Sequence, residues 1–127
     1  MIVVDTSAFM AVALDEPAAE ACSDIMARAD EIAVSAGTLA EAMIVAGRRN
    51  LGPAMERLIS GLGCQVVPVT EHDAFKVAEA YAQWGRGVHP AGLNYGDCFA
   101  YALARQYSCP LLFVGNDFAK TDITKAC

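Results

Sequence analysis

Short apolar runs alternate along the chain with longer stretches in which apolar residues recur at helical spacing. Such a short run is typical of a buried strand in a parallel sheet. The predicted strands are residues 2–4, 32–34, 65–69 and 111–114. The predicted helices are residues 8–14, 17–29, 38–49, 53–62, 71–84 and 94–107. Residues 85–92 contain three glycines and a proline, which predict a mobile loop.

The alternation of strands and helices predicts an α/β fold. Parallel strands need crossover connections, which are usually helices, so the sheet should be parallel with helices on both faces. Thr70 and Asn94 stand just before the last two long helices and are candidate N-caps. After a turn at residues 115–117 we expect a short helix or coil and then an edge strand. With 127 residues and no linker-like segment, the chain predicts one domain over residues 1–127.

The composition argues against several classes of protein. Hydrophobic residues make up 55% of the chain, but no apolar run approaches the roughly 18 residues of a membrane helix. The excess predicts a partner surface instead. The chain starts without a basic segment or a long apolar segment, so we expect no signal peptide. The five cysteines lack C-x-x-C spacing, which favours reduced thiols in a cytoplasmic protein over a disulfide framework or a zinc site.

The net charge of −6 argues against a protein that coats nucleic-acid duplexes, because such proteins are usually basic. It does not exclude a metal-dependent nuclease. Divalent cations held in an acidic pocket reverse the local charge and make the site attractive to phosphate. The placement of the acids is therefore more informative than their number.

Four acids are predicted to lie at one edge of the sheet. Asp5 and Asp117 follow strands, and Glu41 and Asp97 lie in the opening turns of predicted helices. In a parallel sheet, the ends of strands and the starts of the following helices meet at the same edge, where open α/β sheets bind ligands. Glu41 and Asp97 also stand in strongly apolar sequence, so each carboxylate should be partly buried and should need a partner.

Each acid alone also has a structural explanation. Asp5 is a suitable N-cap for the first helix. Thr38 and Glu41 have the spacing of a capping box. Asp97 suits the positive end of a helix dipole, and Asp117 suits a turn. These alternatives stay open for the single residues, but they account poorly for four acids at one edge.

Grouping four carboxylates has an electrostatic cost. Two unit charges about 4 Å apart repel by roughly 4 kcal/mol at an effective dielectric constant of about 20. A bound cation would offset that repulsion. The four acids form an all-oxygen ligand set, which favours Mg²⁺ or Mn²⁺ over Zn²⁺. The sequence therefore predicts an acidic metal pocket.

Four sequence motifs surround these acids. They are V-V-D-T-S-A at Asp5, S-A-G-T-L-A-E-A at Glu41, L-N-Y-G-D-C-F-A-Y-A-L-A at Asp97 and P-L-L-F-V-G-N-D-F-A-K-T-D-I at Asp117. In order and separation they resemble the motifs of PIN-domain ribonucleases, and in particular of VapC-type toxins from bacterial toxin–antitoxin pairs. The resemblance covers essentially the whole chain. It implies a PIN-like three-layer α/β/α sandwich with a short, mostly parallel central sheet.

The resemblance also implies an activity and a set of site residues. The activity would be hydrolysis of RNA phosphodiester bonds with one or two Mg²⁺ or Mn²⁺ ions. The metal ligands and catalytic acids would be Asp5, Glu41, Asp97 and Asp117. The supporting residues would be Thr6, Ser7, Asn94 and Asp122. Residues that would either contact RNA or be ordinary surface groups are Arg48, Arg49, Arg86, His89 and Lys120.

VapC-type toxins are usually neutralised by a VapB-type antitoxin and usually form homodimers. The resemblance therefore implies an antitoxin partner, a homodimer and no membrane association. We expect the antitoxin to dock on an apolar stripe that runs from Ala18 to Met26 and includes Leu39, Met43 and Leu58.

Two other functions fit parts of the pattern. A receiver-type phosphoacceptor domain also combines a small α/β fold with an acidic Mg²⁺ pocket. That site needs paired acids after the first strand, whereas Asp5 is followed by Thr6. A non-catalytic PIN-like binding module is the second alternative, and the presence of all four acids disfavours it. A metal-dependent endoribonuclease is therefore the preferred interpretation.

Overall fold

Short parallel strands form the central sheet. The computed structural model describes residues 1–126, in which the strands are β1 (Ile2–Val4), β2 (Ile32–Ser35), β3 (Gln65–Val67) and β4 (Leu111–Leu112). Their order across the sheet is β3-β2-β1-β4, and each neighbouring pair is parallel. β1 therefore lies between β2 and β4, so that Asp5, the residue after β1, stands near the middle of one sheet edge.

Helices connect the strands, as predicted. Over residues 1–126 they are α1 (Thr6–Ala13), α2 (Ala19–Arg28), α3 (Ala36–Arg48), α4 (Gly52–Gly61), α5 (Glu71–Trp84) and α6 (Tyr95–Tyr107), followed by a 3₁₀ turn at Phe118–Lys120. The predicted α/β fold is confirmed. None of these helices is long and apolar enough to cross a membrane.

Each face of the sheet carries its own hydrophobic core, because successive strand residues point to opposite faces. Val4 and Leu112 pack with helices α1 to α4. Val3 and Leu111 pack with helices α5 and α6 on the other face. All four side chains are fully buried. The sheet is thus the middle layer of a three-layer α/β/α sandwich.

Two helices begin two residues earlier than predicted. α1 begins at Thr6, since the Asp5 side chain caps it directly after β1. α3 begins at Ala36, since Ser35 Oγ accepts a hydrogen bond from Gly37 N. Thr38, the predicted start of α3, is therefore inside the helix and fully buried. The predicted caps Thr70 and Asn94 are confirmed, and each forms a complete capping box.

The segment predicted as a mobile loop is closed by hydrogen bonds at its base. Gly85 and Leu93 form a parallel bridge, Arg86 N donates to Leu93 O, and Leu93 N donates to Trp84 O. Leu93 and Ala91 are buried. The segment is therefore anchored at both ends, next to α5 and α6, and its mobility stays a prediction.

The end of the described chain returns to the sheet. Lys125 forms a parallel bridge with Leu111, and Leu111 N donates to Thr124 O. This short pairing agrees with the predicted edge strand. Cys127, one of the cysteines predicted to be reduced, lies outside the described residues, whereas Cys64, Cys98 and Cys109 are free thiols.

The apolar stripe proposed as an antitoxin groove is largely part of the core. Cys22 and Met26 are buried against the chain's own residues. Leu39, Met43 and Leu58 are half-buried and pack against the same cluster. The stripe had the helical spacing of an interface, but that spacing serves the packing of α2 against α1 and of α4 against α1 and α3. Cys22 and Met26 therefore belong to the core, while antitoxin docking at the half-buried Leu39, Met43 and Leu58 stays a prediction.

Candidate active site

Asp5 is the most buried acid at the sheet edge, with 2% of its surface exposed. Its Oδ2 atom accepts hydrogen bonds from Ser7 N at 3.0 Å and from Ser7 Oγ at 2.7 Å. Its Oδ1 atom is buried and accepts no hydrogen bond. Asp5 therefore is an N-cap, as the structural explanation held, but the cap uses only one of its two oxygens. A buried carboxylate oxygen without a partner is costly unless a cation or donor binds it.

The surroundings of Asp5 strongly favour its protonated form. Burial is the main cause, and it raises the pKa of the carboxyl group from 3.8 to about 7. The two Ser7 hydrogen bonds act in the opposite direction, while the charges of Asp97 and Glu41 raise the pKa further. The last effect places three acids within electrostatic reach of one another.

Thr6 holds Glu41 at the sheet edge. Thr6 Oγ1 donates to Glu41 Oε1 at 2.7 Å and also lies 3.4 Å from Thr38 O. Glu41 is in the second turn of α3, because the helix begins at Ala36. The capping box considered for Thr38 and Glu41 is therefore absent, and Glu41 is not in an opening turn. Its carboxylate instead accepts a hydrogen bond from Thr6, the residue after Asp5.

Gly96 makes room for the Glu41 carboxylate. A Cβ atom on Gly96 would overlap Oε1, Oε2 and Cδ of Glu41. Gly37 has a similar role between α3 and α6, since a Cβ on it would overlap the ring of Phe99. The two glycines let α3 and α6 pack closely, which brings Glu41 beside the start of α6.

Asp97 combines a structural role with a place among the acids. Asp97 N donates to Asn94 Oδ1 at 2.8 Å, and Asn94 N donates to Asp97 Oδ2 at 2.9 Å. Burial raises the pKa of Asp97 to about 6, although the bond from Asn94 N opposes the change. The charges of Glu41 and Asp117 raise this pKa further, and the charge of Arg86 lowers it.

Asp117 completes the group from the exposed side. It stands beyond β4 as the residue before the 3₁₀ turn and is exposed. Ser7 links this region to Asp5, because Ser7 Oγ accepts from Val114 N at 3.0 Å while donating to Asp5. The charge of Asp117 raises the pKa of Asp97, so the two carboxylates are within electrostatic reach of each other. The four predicted acids therefore lie at one edge.

Asp122 belongs to a different network. Its Oδ1 atom accepts from Tyr101 Oη at 2.6 Å, and its Oδ2 atom lies 3.7 Å from Arg105. Tyr101 Oη in turn accepts from Trp84 Nε1 at 2.9 Å. These bonds join α5, α6 and the C-terminal segment. Sequence reasoning missed Trp84 and Tyr101, whose pairing depends on how two helices pack and leaves no local signal.

The donor chemistry of the edge fits a hard divalent cation. The available groups are carboxylate oxygens, and Asp5 Oδ1 is a buried oxygen that accepts no hydrogen bond. As placed, however, no three His, Cys, Asp or Glu side chains in residues 1–126 are gathered around one point. Two of the acids are instead engaged locally, Glu41 by Thr6 and Asp97 by Asn94. The edge is thus an acidic cluster with the right atoms for an ion, and binding one would require these side chains to converge.

Comparison with known families identifies the class of protein. Residues 2–123 match the PIN domain family model. The chain therefore belongs to the PIN domain family. Among its relatives is the ribonuclease VapC28 of Mycobacterium tuberculosis, which is 43% identical over 129 residues, covering 98% of this chain and 97% of the relative.

Solved structures agree on the fold. The crystal structure of M. tuberculosis VapC20, described as a toxin that cleaves the sarcin–ricin loop, matches with a TM-score of 0.81 and 17% identity, covering 98% of both chains. A toxin–antitoxin complex from Klebsiella pneumoniae matches with a TM-score of 0.69 and 18% identity, covering 96% of this chain and 93% of the other. The fold implied by the four motifs is confirmed.

The raised pKa values of Asp5 and Asp97 predict that the metal-free protein becomes less stable as pH rises. The two groups titrate at about 7 and about 6 in the folded protein, but near 4 in an unfolded chain. Between about pH 4 and pH 7 the folded protein therefore holds protons that the unfolded chain has lost, and the free energy of unfolding decreases. Each pKa unit of difference corresponds to about 1.4 kcal/mol.

Urea denaturation between pH 5 and pH 8, in the presence of a chelator, measures this effect. Asp5→Asn keeps an N-cap and removes the main titrating group, so it should show a weaker pH dependence and exceed the wild type in stability at pH 8. Equal pH dependence in the two proteins would contradict the proposed burial of Asp5.

Proposed function

We propose that this chain is a metal-dependent endoribonuclease that hydrolyses RNA phosphodiester bonds and acts as the toxin of a toxin–antitoxin pair. The observation that carries the proposal is the buried Asp5 carboxylate, with one unbonded oxygen, at an edge shared with Glu41, Asp97 and Asp117. RNA is proposed as the substrate because the relatives that match over nearly their whole length are named as ribonucleases.

The proposed cofactor is Mg²⁺ or Mn²⁺. Asp5, Glu41 and Asp97 would be the principal ligands, with Asp117 binding directly or through water. When bound, such an ion supplies charge stabilisation for the phosphoryl oxygens and lowers the pKa of water to produce a nucleophile near neutral pH. An acidic edge without a cation would repel a phosphodiester, so the same residues that bind the ion would otherwise oppose the substrate.

The chain's own residues orient the acids. Ser7 binds Asp5 Oδ2 with two donors, which directs the carboxylate so that Oδ1 stays unbonded. Thr6 fixes one oxygen of Glu41, and Gly96 leaves space for that carboxylate. Asn94 ties Asp97 to the first turn of α6. Three of the four acids thus have a support of their own, from which they would converge when an ion binds.

Asp97→Asn should abolish RNA cleavage, and Asp73→Asn provides a matched control. Asp73 and Asp97 occupy the same position in two complete capping boxes, at α5 and α6, so both substitutions remove a capping carboxylate. Only Asp97 faces the other acids. We expect cleavage to fall by more than about 100-fold in Asp97→Asn, since loss even of a residue that supports a metal ligand costs up to that factor.

The measurement is cleavage of total RNA with Mg²⁺ or Mn²⁺, read by sequencing the new RNA ends. Circular dichroism confirms that both variants fold. Cleavage by Asp97→Asn at the wild-type rate in Mn²⁺ would refute the assignment, as would equal losses in the two variants. The match to the PIN domain family excludes the receiver-type alternative. A folded wild type that binds RNA without cutting it would favour the non-catalytic PIN-like binding module.

A homodimer is also proposed, and an exposed apolar recess indicates where it would form. The recess, of about 400 Å³, lies between α5 and the start of α6. Its lining includes Val69, Tyr81 and Tyr95, whose surfaces are 38%, 40% and 72% exposed. Exposed apolar surface of this kind is typical of a protein interface. A second copy of the chain is the proposed occupant because VapC-type toxins, which this chain resembles, usually form homodimers.

Tyr95→Glu should shift the chain towards monomer in sedimentation velocity, because it places a charge in the recess. Val88→Glu is the control, since Val88 is 59% exposed but lies outside the recess. A wild type that is monomeric at high concentration would contradict the proposal, and so would equal behaviour of the two variants.

The proposed protein partner is a VapB-type antitoxin. Support comes from the relatives named as VapC ribonucleases and from fold matches that include solved toxin–antitoxin complexes. A small protein encoded beside this chain should therefore co-purify with it and suppress its cleavage of RNA. An adjacent product that neither binds nor inhibits the chain would count against this partner.

A further inference from the structure

Arg86 is held at the base of the loop that leads into the acidic edge. Its backbone N donates to Leu93 O at 3.0 Å, beside the bridge between Gly85 and Leu93. Leu93 is followed by Asn94, which is hydrogen-bonded to Asp97. Gly85 cannot take a side chain, because a Cβ there would overlap Tyr81 O. The backbone of Arg86 is therefore hydrogen-bonded to Leu93, the residue before Asn94, and Asn94 is in turn hydrogen-bonded to Asp97.

The side chain of Arg86 is a cation near the acids that has no carboxylate partner. Within residues 1–126 the ion pairs are Lys76 with Glu79 and Arg105 with Asp122. Arg86 is exposed and takes part in neither. The bond from Arg86 N to Leu93 O places Arg86 beside Leu93, the residue before the Asn94 cap of Asp97, and the Arg86 charge is among those that act on Asp97. A guanidinium placed so, without a bound carboxylate, keeps its donors available for an anion.

The other basic groups near the motifs lack this combination. Arg48 and Arg49 lie at the far end of α3, about two turns beyond Glu41. The His89 ring packs edge-on against Trp84 at 4.7 Å, and its Nδ1 atom accepts from Ala91 N. Lys120 ends the 3₁₀ turn and is not among the charges that act on Asp5 or Asp97.

We propose that Arg86 binds a phosphate oxygen of the RNA strand next to the acidic edge, and so fixes the substrate's position for cleavage. The inference rests on the proposed ribonuclease function and assigns one cation to substrate binding. A planar guanidinium suits this role because it can donate two parallel hydrogen bonds to a phosphate. The hydrogen bonds at the base of the loop fix the backbone from which the flexible Arg86 side chain extends.

Arg86→Gln tests the proposal, with Arg57→Gln as a matched control that removes one exposed cation from α4. The substrate is a single-stranded RNA oligonucleotide that contains a site cleaved by the wild type, assayed in Mn²⁺ at several salt concentrations. Arg86→Gln should raise KM about tenfold, the loss expected when a charge-assisted contact worth about 1.5 kcal/mol disappears. It should change kcat by less than about twofold, as expected when a variant loses uniform binding.

The salt dependence separates phosphate binding from a structural role. Loss of one phosphate contact should reduce the slope of log KM against log salt by about 0.7, and Arg57→Gln should keep the wild-type slope. Arg86→Lys should retain the slope but bind more weakly, since it keeps the charge and loses the planar fork.

Two results would overturn the proposal while leaving the ribonuclease function intact: identical KM and slope in Arg86→Gln and Arg57→Gln, or a shifted pH profile of kcat without any change in KM. The second result would mean that Arg86 acts only on Asp97. A wild type that cleaves no RNA would refute the ribonuclease function and this inference together.

Discussion

The burial of the Asp5 carboxylate is the constraint on which the rest of the site depends. β1 is an interior strand, and Asp5, which follows it and caps α1, is almost fully buried. Ser7 satisfies one oxygen, and the other has no partner. Burial raises the pKa of Asp5 to about 7, so this carboxyl group still binds a proton close to neutral pH.

The packing of α3 against α6 brings other acids close to the buried Asp5 carboxylate. Gly37 and Gly96 allow α3 and α6 to approach, so that Glu41 lies against the start of α6. Asn94 and Thr6 then hold Asp97 and Glu41 by short hydrogen bonds. These hydrogen bonds hold carboxylates that repel one another, which lowers the stability of the fold. Such destabilising clusters are expected at functional sites.

Much of the fold was predictable from sequence because its signals are local. Apolar runs predicted the strands, and the capping residues Thr70 and Asn94 predicted the starts of α5 and α6. The approach of Asp5 to Asp97 also followed, since strand ends and helix starts of a parallel sheet share an edge. The rest depends on packing between distant segments. Gly96 receiving the Glu41 carboxylate, Trp84 bonding Tyr101 and the closed base of the loop at Gly85 have no sequence signature that spacing could reveal.

The central claim is that the acidic edge exchanges protons for a divalent cation. Calorimetric titration of Mn²⁺ at pH 6, in buffers with different ionisation enthalpies, measures ion binding and proton release together. We predict saturable binding by the wild type that releases protons, because the pKa of Asp5 is about 7, and binding that is weaker and releases fewer protons in Asp5→Asn. Saturable binding that is equal in both proteins, or no binding by the wild type, would contradict the claim.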